Sequence, residues 1–207
     1  MTVNDDVALV ERRLVLGELR CPACGGGLSG WGWARRRWLR EETSRRVVRP
    51  RRARCAGCGG THVLLPTGML AHRADSIEVV GKALVAKASG RGVRPIATDV
   101  GRALGTVRGW LRRFAVKAEL LRRWFIGLLV AVAADPVVPD AATTMFADAV
   151  NAITAASEAI VGRFAILTVT RWQVAVAASH GRLLSPHWPT DWLTEPINTS
   201  SPWLALA

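Results

Sequence analysis

Between residues 75 and 114 the apolar positions recur at helical spacing, and the interruptions fall where helices stop and start. Ile77, Val80, Leu84, Val85 and Ala88 make one stripe, which a helix turns to a single side. Asp75 stands where it can cap this helix, and Glu78 can answer from three residues on, a capping-box arrangement. The stripe ends before Gly90. Pro95 suits the first turn of the next helix, where its missing N–H would be unpaired anyway, and Ile96, Ala97 and Val100 give that helix a short apolar face. Gly101 follows at the corner, where a left-handed backbone costs a glycine almost nothing. Val107, Trp110, Leu111 and Phe114 then recur at i, i+3, i+4 and i+7. They leave Thr106, Arg108, Gly109, Arg112 and Arg113 on the opposite face. The pattern predicts three helices over 75–116, the last with an apolar back and a basic front.

Elsewhere the pattern is looser. Residues 1–19 form a lead with weak helical spacing at Val7, Leu9, Val10, Leu14, Leu16 and Leu19, a short strand or helix. Over 117–184 the apolar stripe continues through Leu121, Phe125, Leu128 and Val132. Asp135, Pro136 and Pro139 interrupt it, and an alanine-rich stretch resumes from Thr143 with an expected break near Gly162. Residues 185–207 hold Pro186, Pro189, Pro196 and Pro202 among Trp188, Trp192 and Trp203 and read as an irregular tail.

Charge sharpens this division. The 207 residues carry a net +12, distributed as +7 over residues 1–75, +8 over 76–125 and −3 over 126–207. The first two thirds are suited to meet a polyanion and the last third is not. Arginine outnumbers lysine 25 to 3, a bias that GC-rich coding also produces. The acidic-then-basic N-terminus lacks a secretory apolar core. The longest uncharged apolar run, Trp124 to Ala134, is too short to span a bilayer. A cytoplasmic, nucleoid-associated location without membrane contact is expected.

In that reducing setting the four cysteines read as metal ligands before disulfides. Cys21 and Cys24 form one Cys-x-x-Cys turn, and Cys55 and Cys58 form the other. Zinc prefers four thiolates in a tetrahedron, each such turn supplying two. The gap of thirty residues between the pairs exceeds the usual spacing of about 15–20, so a longer hairpin is expected, with strands over 28–39 and 45–55, a turn near Glu41 to Ser44, and a third strand over 61–65. The Zn2+ would be structural, folding residues 20–66 as a zinc ribbon. His62 and His72 are expected to serve as ordinary surface or core residues. The hairpin carries ten arginines between Arg35 and Arg54, interleaved with Trp31, Trp33 and Trp38. A second nucleic-acid surface is expected here, with the tryptophans in the core and the arginines on phosphates, against the alternative of a solvated basic strand.

No catalytic constellation emerges. Asp135, Asp140, Asp148, Glu158, Asp191 and Glu195 sit on alanine-rich or proline-rich ground rather than on the mixed sheet that a two-metal nuclease requires. His180 and His187 have no partnered nucleophile. The chain is expected to be non-enzymatic.

Ala97, Gly101, Val107 and Trp110 resemble the bacterial helix-turn-helix pattern of a small residue, a glycine four later, an aliphatic six further and a large apolar three beyond. The order CPACGG, a Trp/Arg-rich segment, RARCAGCGGTHVLLP, HRADS and IATDVGRALGTVRGWLRRF resembles an uncharacterised zinc-ribbon plus helix-turn-helix family of GC-rich bacteria. It is also similar to the N-terminal DNA-recognition part of insertion-sequence transposases, over roughly residues 20–116. The resemblance implies a metal role for Cys21, Cys24, Cys55 and Cys58 and a DNA-reading role for the helix from Thr106 to Arg113. It implies no catalysis, because the transposase nuclease has no counterpart.

The expected fold is mainly α with a small β zinc ribbon (20–66), followed by a three-helix helix-turn-helix module (75–116) and a C-terminal α-helical region (117–184). The expected function is zinc-dependent binding of double-stranded DNA, as a transcription regulator or a mobile-element accessory or relic. Arg108, Arg112 and Arg113 would contact bases or phosphates beside Thr106 and Gly109, and Arg94 and Arg102 would contact the backbone. Two alternatives are a DNA-recognition subunit of a recombinase whose nuclease is encoded separately, and an RNA-binding zinc ribbon. An operator-binding homodimer would need a pairing surface, for which the C-terminal helices are the candidate.

Overall fold

The computed structural model describes residues 1–166 and 168–186. Trp188, Trp192 and Trp203, with the rest of the expected irregular tail from His187, lie outside the described residues. Among those described, seven helices and six short strands follow one another in the chain.

The helical part begins at α2 (Ile77–Ala88), capped by Ser76, whose Oγ accepts from the Val79 N–H at 3.4 Å. Asp75, expected as the cap, is instead turned inward to two arginines. α3 (Val93–Asp99) buries Ile96 and Ala97, and the chain reverses through Gly101 at φ +62°, a conformation that needs glycine. α4 (Leu104–Ala115) buries Val107, Trp110, Leu111 and Phe114, the four positions of its apolar stripe. After a short break at Val116 and Lys117 come α5 (Ala118–Val132) and α6 (Met145–Phe164), then α7 (Arg171–Ala178). α6 ends at Ala165 in a left-handed conformation, φ 52°, past the break expected at Gly162, which lies inside the helix. Thr170 caps α7 in a capping box with Gln173.

One cluster of buried side chains runs from Leu70 to Leu184. The stripes of α2 through α7 therefore fill a single core, and the expected boundary at residue 116 does not divide it. Phe114 of α4 meets Phe146 of α6 with ring centroids 4.7 Å apart. Gly81 of α2 lies against Trp172 of α7 so closely that a Cβ there would fall within the indole. The C-terminal helices, the expected pairing surface of a dimer, thus turn their stripes inward.

The β part is built on a four-stranded sheet in the order β1 (Thr2–Val3), β6 (Thr61–Pro66), β5 (Arg51–Cys55) and β2 (Leu28–Trp33). β1 runs parallel to β6 and the other pairs are antiparallel. The weakly patterned lead supplies β1 and α1 (Val7–Val15), which Asp6 caps. Val10 and Leu14 of α1 cover Leu28, Ala53 and Leu64 of the sheet in a second, smaller core.

The two long strands expected over 28–39 and 45–55 are each interrupted. A bulge between Gly30 and Trp33 shifts the register, and Pro50, which has no N–H to donate, separates β5 from the strand before it. The outer half is a two-stranded ribbon of β3 (Arg37–Arg40) and β4 (Arg45–Val48). Its buried Leu39 and Val48 join Leu65 and Met69 in a third small cluster.

Ribbon and helices meet at Asp75, whose side chain is 3% exposed. Its carboxylate accepts from Arg102 Nε at 2.6 Å and from Arg40 Nη2 at 2.7 Å. Arg102 also donates to the Glu41 carbonyl at 2.6 Å. The turn that leads into α4 is thereby pinned to the ribbon.

Candidate functional site

The two cysteine turns have the same construction. Gly25 N–H donates to the Cys21 carbonyl at 2.9 Å and Gly59 N–H to the Cys55 carbonyl at 3.1 Å. Cys21 N–H then donates to Gly26 and Cys55 N–H to Gly60, each at 2.8 Å. Gly25 (φ +70°) and Gly59 (φ +71°) occupy the left-handed position that curls each turn. A Cβ on Gly26 would stand 2.9 Å from Cys55 Sγ, so no side chain fits there. β2 leaves the first turn and β5 enters the second. Their pairing, Leu28 opposite Cys55, brings the turns together over the buried Leu19 and Leu28.

All four sulfurs lie within 4.8 Å of one another. Cys21 and Cys58 are 3.8 Å apart, and Cys24 and Cys55 3.4 Å. Metal–sulfur bonds of about 2.3 Å in a tetrahedron give sulfur–sulfur edges near 3.8 Å, so the residues fit a metal ion. The crowded thiols do not share one acidity. The Cys58 N–H helps bring Cys55 down to about 6. Cys24, although the Gly26 N–H favours its thiolate, is pushed up to about 11 by the neighbouring thiols of Cys55 and Cys58. A cation among them would remove that conflict. His62, expected as an ordinary residue, places Nε2 3.3 Å from Cys21 Sγ, within hydrogen-bond reach of one of the four clustered sulfurs. His72 is exposed at φ 59° and stands away from the cluster.

The basic residues of the helical part divide into outward and inward sets. Arg94 on α3 and Arg108 and Arg112 on α4 are exposed. Thr106, Gly109 and Arg113 are half-buried and line a recess of about 350 Å³, together with Arg40, His72 and Arg73. Arg113 Nη1 donates to the Gly109 carbonyl at 3.0 Å, laying the guanidinium along α4. Arg102, expected on the DNA backbone, turns most of its side chain inward: it is 11% exposed and held by Asp75, which leaves little of the guanidinium for a phosphate.

Arg73 was not singled out by the sequence. Its Nε is buried without a hydrogen-bond partner among the described residues, and burial, reinforced by the neighbouring charge of Arg113, lowers its pKa. No periodicity could have marked it, because it sits in the short connection before α2. Among the described residues the only carboxylate lining the recess is that of Asp75, already engaged by Arg40 and Arg102.

Trp31, Trp33 and Trp38, expected in the core, are 50%, 38% and 56% exposed. Arg54 lies over Trp31, Arg51 over Trp33 and Arg45 over Trp38, each with its guanidinium carbon 5.0 Å from the ring centroid. Of the hairpin arginines, Arg40, Arg46 and Arg51 pair with acids. The arginines are therefore only partly free for phosphates.

Fold and site together define an α-rich protein with a four-cysteine cluster that could hold a metal ion and a basic helical surface. No helix of the described residues is long and apolar enough to cross a membrane. The chain belongs to the family described as Domain of unknown function (DUF6431), which matches residues 21–124, a span that takes in both cysteine turns, α2 to α4 and the first half of α5, up to Trp124. Neither a curated protein nor a solved structure matches it.

Proposed function

We propose that the chain is a non-catalytic, zinc-dependent protein that reads double-stranded DNA, with α3, the Gly101 turn and α4 acting as a helix-turn-helix and the cysteine turns as a structural zinc ribbon. The supporting observation is the division of α4. Val107, Trp110, Leu111 and Phe114 anchor its back, while Arg108 and Arg112 project from the exposed front. A front of that kind fits a major groove, where a bidentate arginine–guanine pair is worth about 1–3 kcal/mol of discrimination. The recess holding Arg73 and Arg113 flanks the front and suits a backbone phosphate, whose oxygens would satisfy the orphaned Arg73 Nε. Zinc matches the all-thiolate donor set better than the hard divalent cations, which prefer oxygen.

On this reading the protein works in the cytoplasm at the nucleoid, as a regulator or as a mobile-element accessory. The test is selection from a random duplex pool by the zinc-loaded protein, followed by sequencing. Enrichment of a common site is expected, and an inverted repeat within it would mean that two copies bind together. Arg108→Ala should relax preference at one base step. Neutralising about six phosphates would make log affinity fall against log salt with a slope near −5. Retention without any enrichment would reduce the surface to a nonspecific polyanion binder and refute the reading.

A further inference from the structure

The tryptophans of the β part lie where the fold gains least from them. Burying an aromatic of this size contributes strongly to a core, yet Trp31 and Trp38 leave half of their surface in water. Each indole is backed by a guanidinium, Arg54 on Trp31 and Arg45 on Trp38. Neither arginine has an acidic partner among the described residues. Arg49 adds a third such charge, 6.0 Å from the centroid of Trp33.

Trp31 and Trp38 each carry a single guanidinium and keep half of their surface exposed, which leaves ring surface for stacking, whereas Trp33 is shared by Arg51 and Arg49. The combination suits a ligand that is flat, aromatic and attached to negative charge. A paired duplex does not offer this, since its base faces are already stacked on each other. An acidic peptide would satisfy the arginines but brings no rings for the indoles. Unpaired nucleotides bring both. We infer that Trp31 and Trp38 stack unpaired nucleobases while Arg45, Arg49 and Arg54 meet the phosphates that join them, a single-strand site separate from the α4 front. Stacking of this kind tolerates any base sequence, so the site is expected to hold strands that α4 does not discriminate.

The experiment uses the full zinc-loaded chain and labelled oligothymidylate, oligouridylate and random duplex at one ionic strength, read by fluorescence anisotropy. Trp31→Ala and Trp38→Ala should each weaken single-strand binding about 5- to 150-fold and leave duplex binding unchanged. Trp31→Phe and Trp38→Phe, which keep an aromatic face, should retain most of the affinity. Equal losses on both oligonucleotides would assign recognition to base and phosphate alone, whereas a larger loss on one would identify the strand as DNA or RNA. Wild-type protein that fails to bind single strands overturns the inference, as do folded alanine variants that bind them normally. Where an alanine variant does not fold, the wild type still decides, because a stacked base quenches indole emission and binding without quenching excludes stacking. Loss of duplex selection with single-strand binding intact would sink the helix-turn-helix reading and leave this one standing.

Discussion

Replacing Asp75 by alanine tests whether the ribbon and the α4 turn form one unit. The carboxylate is almost fully buried and accepts from two guanidinia, of which Arg102 is 11% exposed and Arg40 is 47% exposed. Without Asp75, Arg40 can turn to water. Arg102 cannot, because its remaining donors are directed to the carbonyls of Glu41, Val100 and Gly101. An uncompensated buried charge of this kind costs about 3–5 kcal/mol. A chain of this size loses about 2–4 °C of melting temperature per kcal/mol, so a fall of about 6–20 °C is expected in zinc-loaded protein followed by circular dichroism. Arg40→Ala, which removes only the exposed partner, should cost under about 1 kcal/mol. The double variant Asp75→Leu with Arg102→Met should recover much of the loss, since a buried ion pair is replaceable by apolar volume. If Asp75→Ala melts within about 3 °C of the wild type, the junction behaves as a surface pair and the pinning argument fails.

Three further outcomes follow from the packing and the titrations. Burial first, then the charges of the N-terminal amine and Arg182, lower His180 to about 4. The unfolded chain therefore binds the extra proton first, and stability should fall by up to about 3 kcal/mol as pH drops from about 6.5 to 4. His180→Asn, which tolerates the φ of 48°, should flatten that slope in pH-dependent denaturant titrations, and an unchanged slope would exclude His180 as its source. Chelation should strip protection from the amides of β2, β5 and β6 while α2 to α6 keep theirs, because the cysteine turns rest on a core separate from that of the helices. Hydrogen exchange reads this directly, and uniform protection after chelation would mean that the metal is dispensable for the sheet. Gly81→Ala should destabilise by about 1–3 kcal/mol through overlap with Trp172. Gly105→Ala, with nothing within 4 Å of the new Cβ, should stabilise by about 0.5–1 kcal/mol in the same melts.

Legibility in the sequence followed the range of the interaction concerned. The α3–Gly101–α4 geometry was readable because spacing over a few residues decides it, and the cysteine cluster because its residue types have few other uses. Asp75 was misread as a cap because the local pattern around Ser76 and Glu78 supports that role. Its partners Arg40 and Arg102 come from distant segments that periodicity does not connect. The tryptophans were misassigned to the core because alternation alone does not say which side of a strand is covered, and the bulge after Gly30 changes the register just where Trp31 and Trp33 stand. The apolar stripes of α2 to α7 were each visible, but a stripe does not name the helix that covers it.

The contact between Phe114 and Phe146 has a practical side. The back of α4 rests on α6, which the sequence would assign to another region and which lies beyond the residues matched by the family. A fragment ending at residue 116 would keep every residue of the basic front and both cysteine turns, yet would expose Phe114 and much of the stripe beside it to water. The unit that could touch DNA and the unit that can fold therefore have different ends, and the shorter is not an excisable domain.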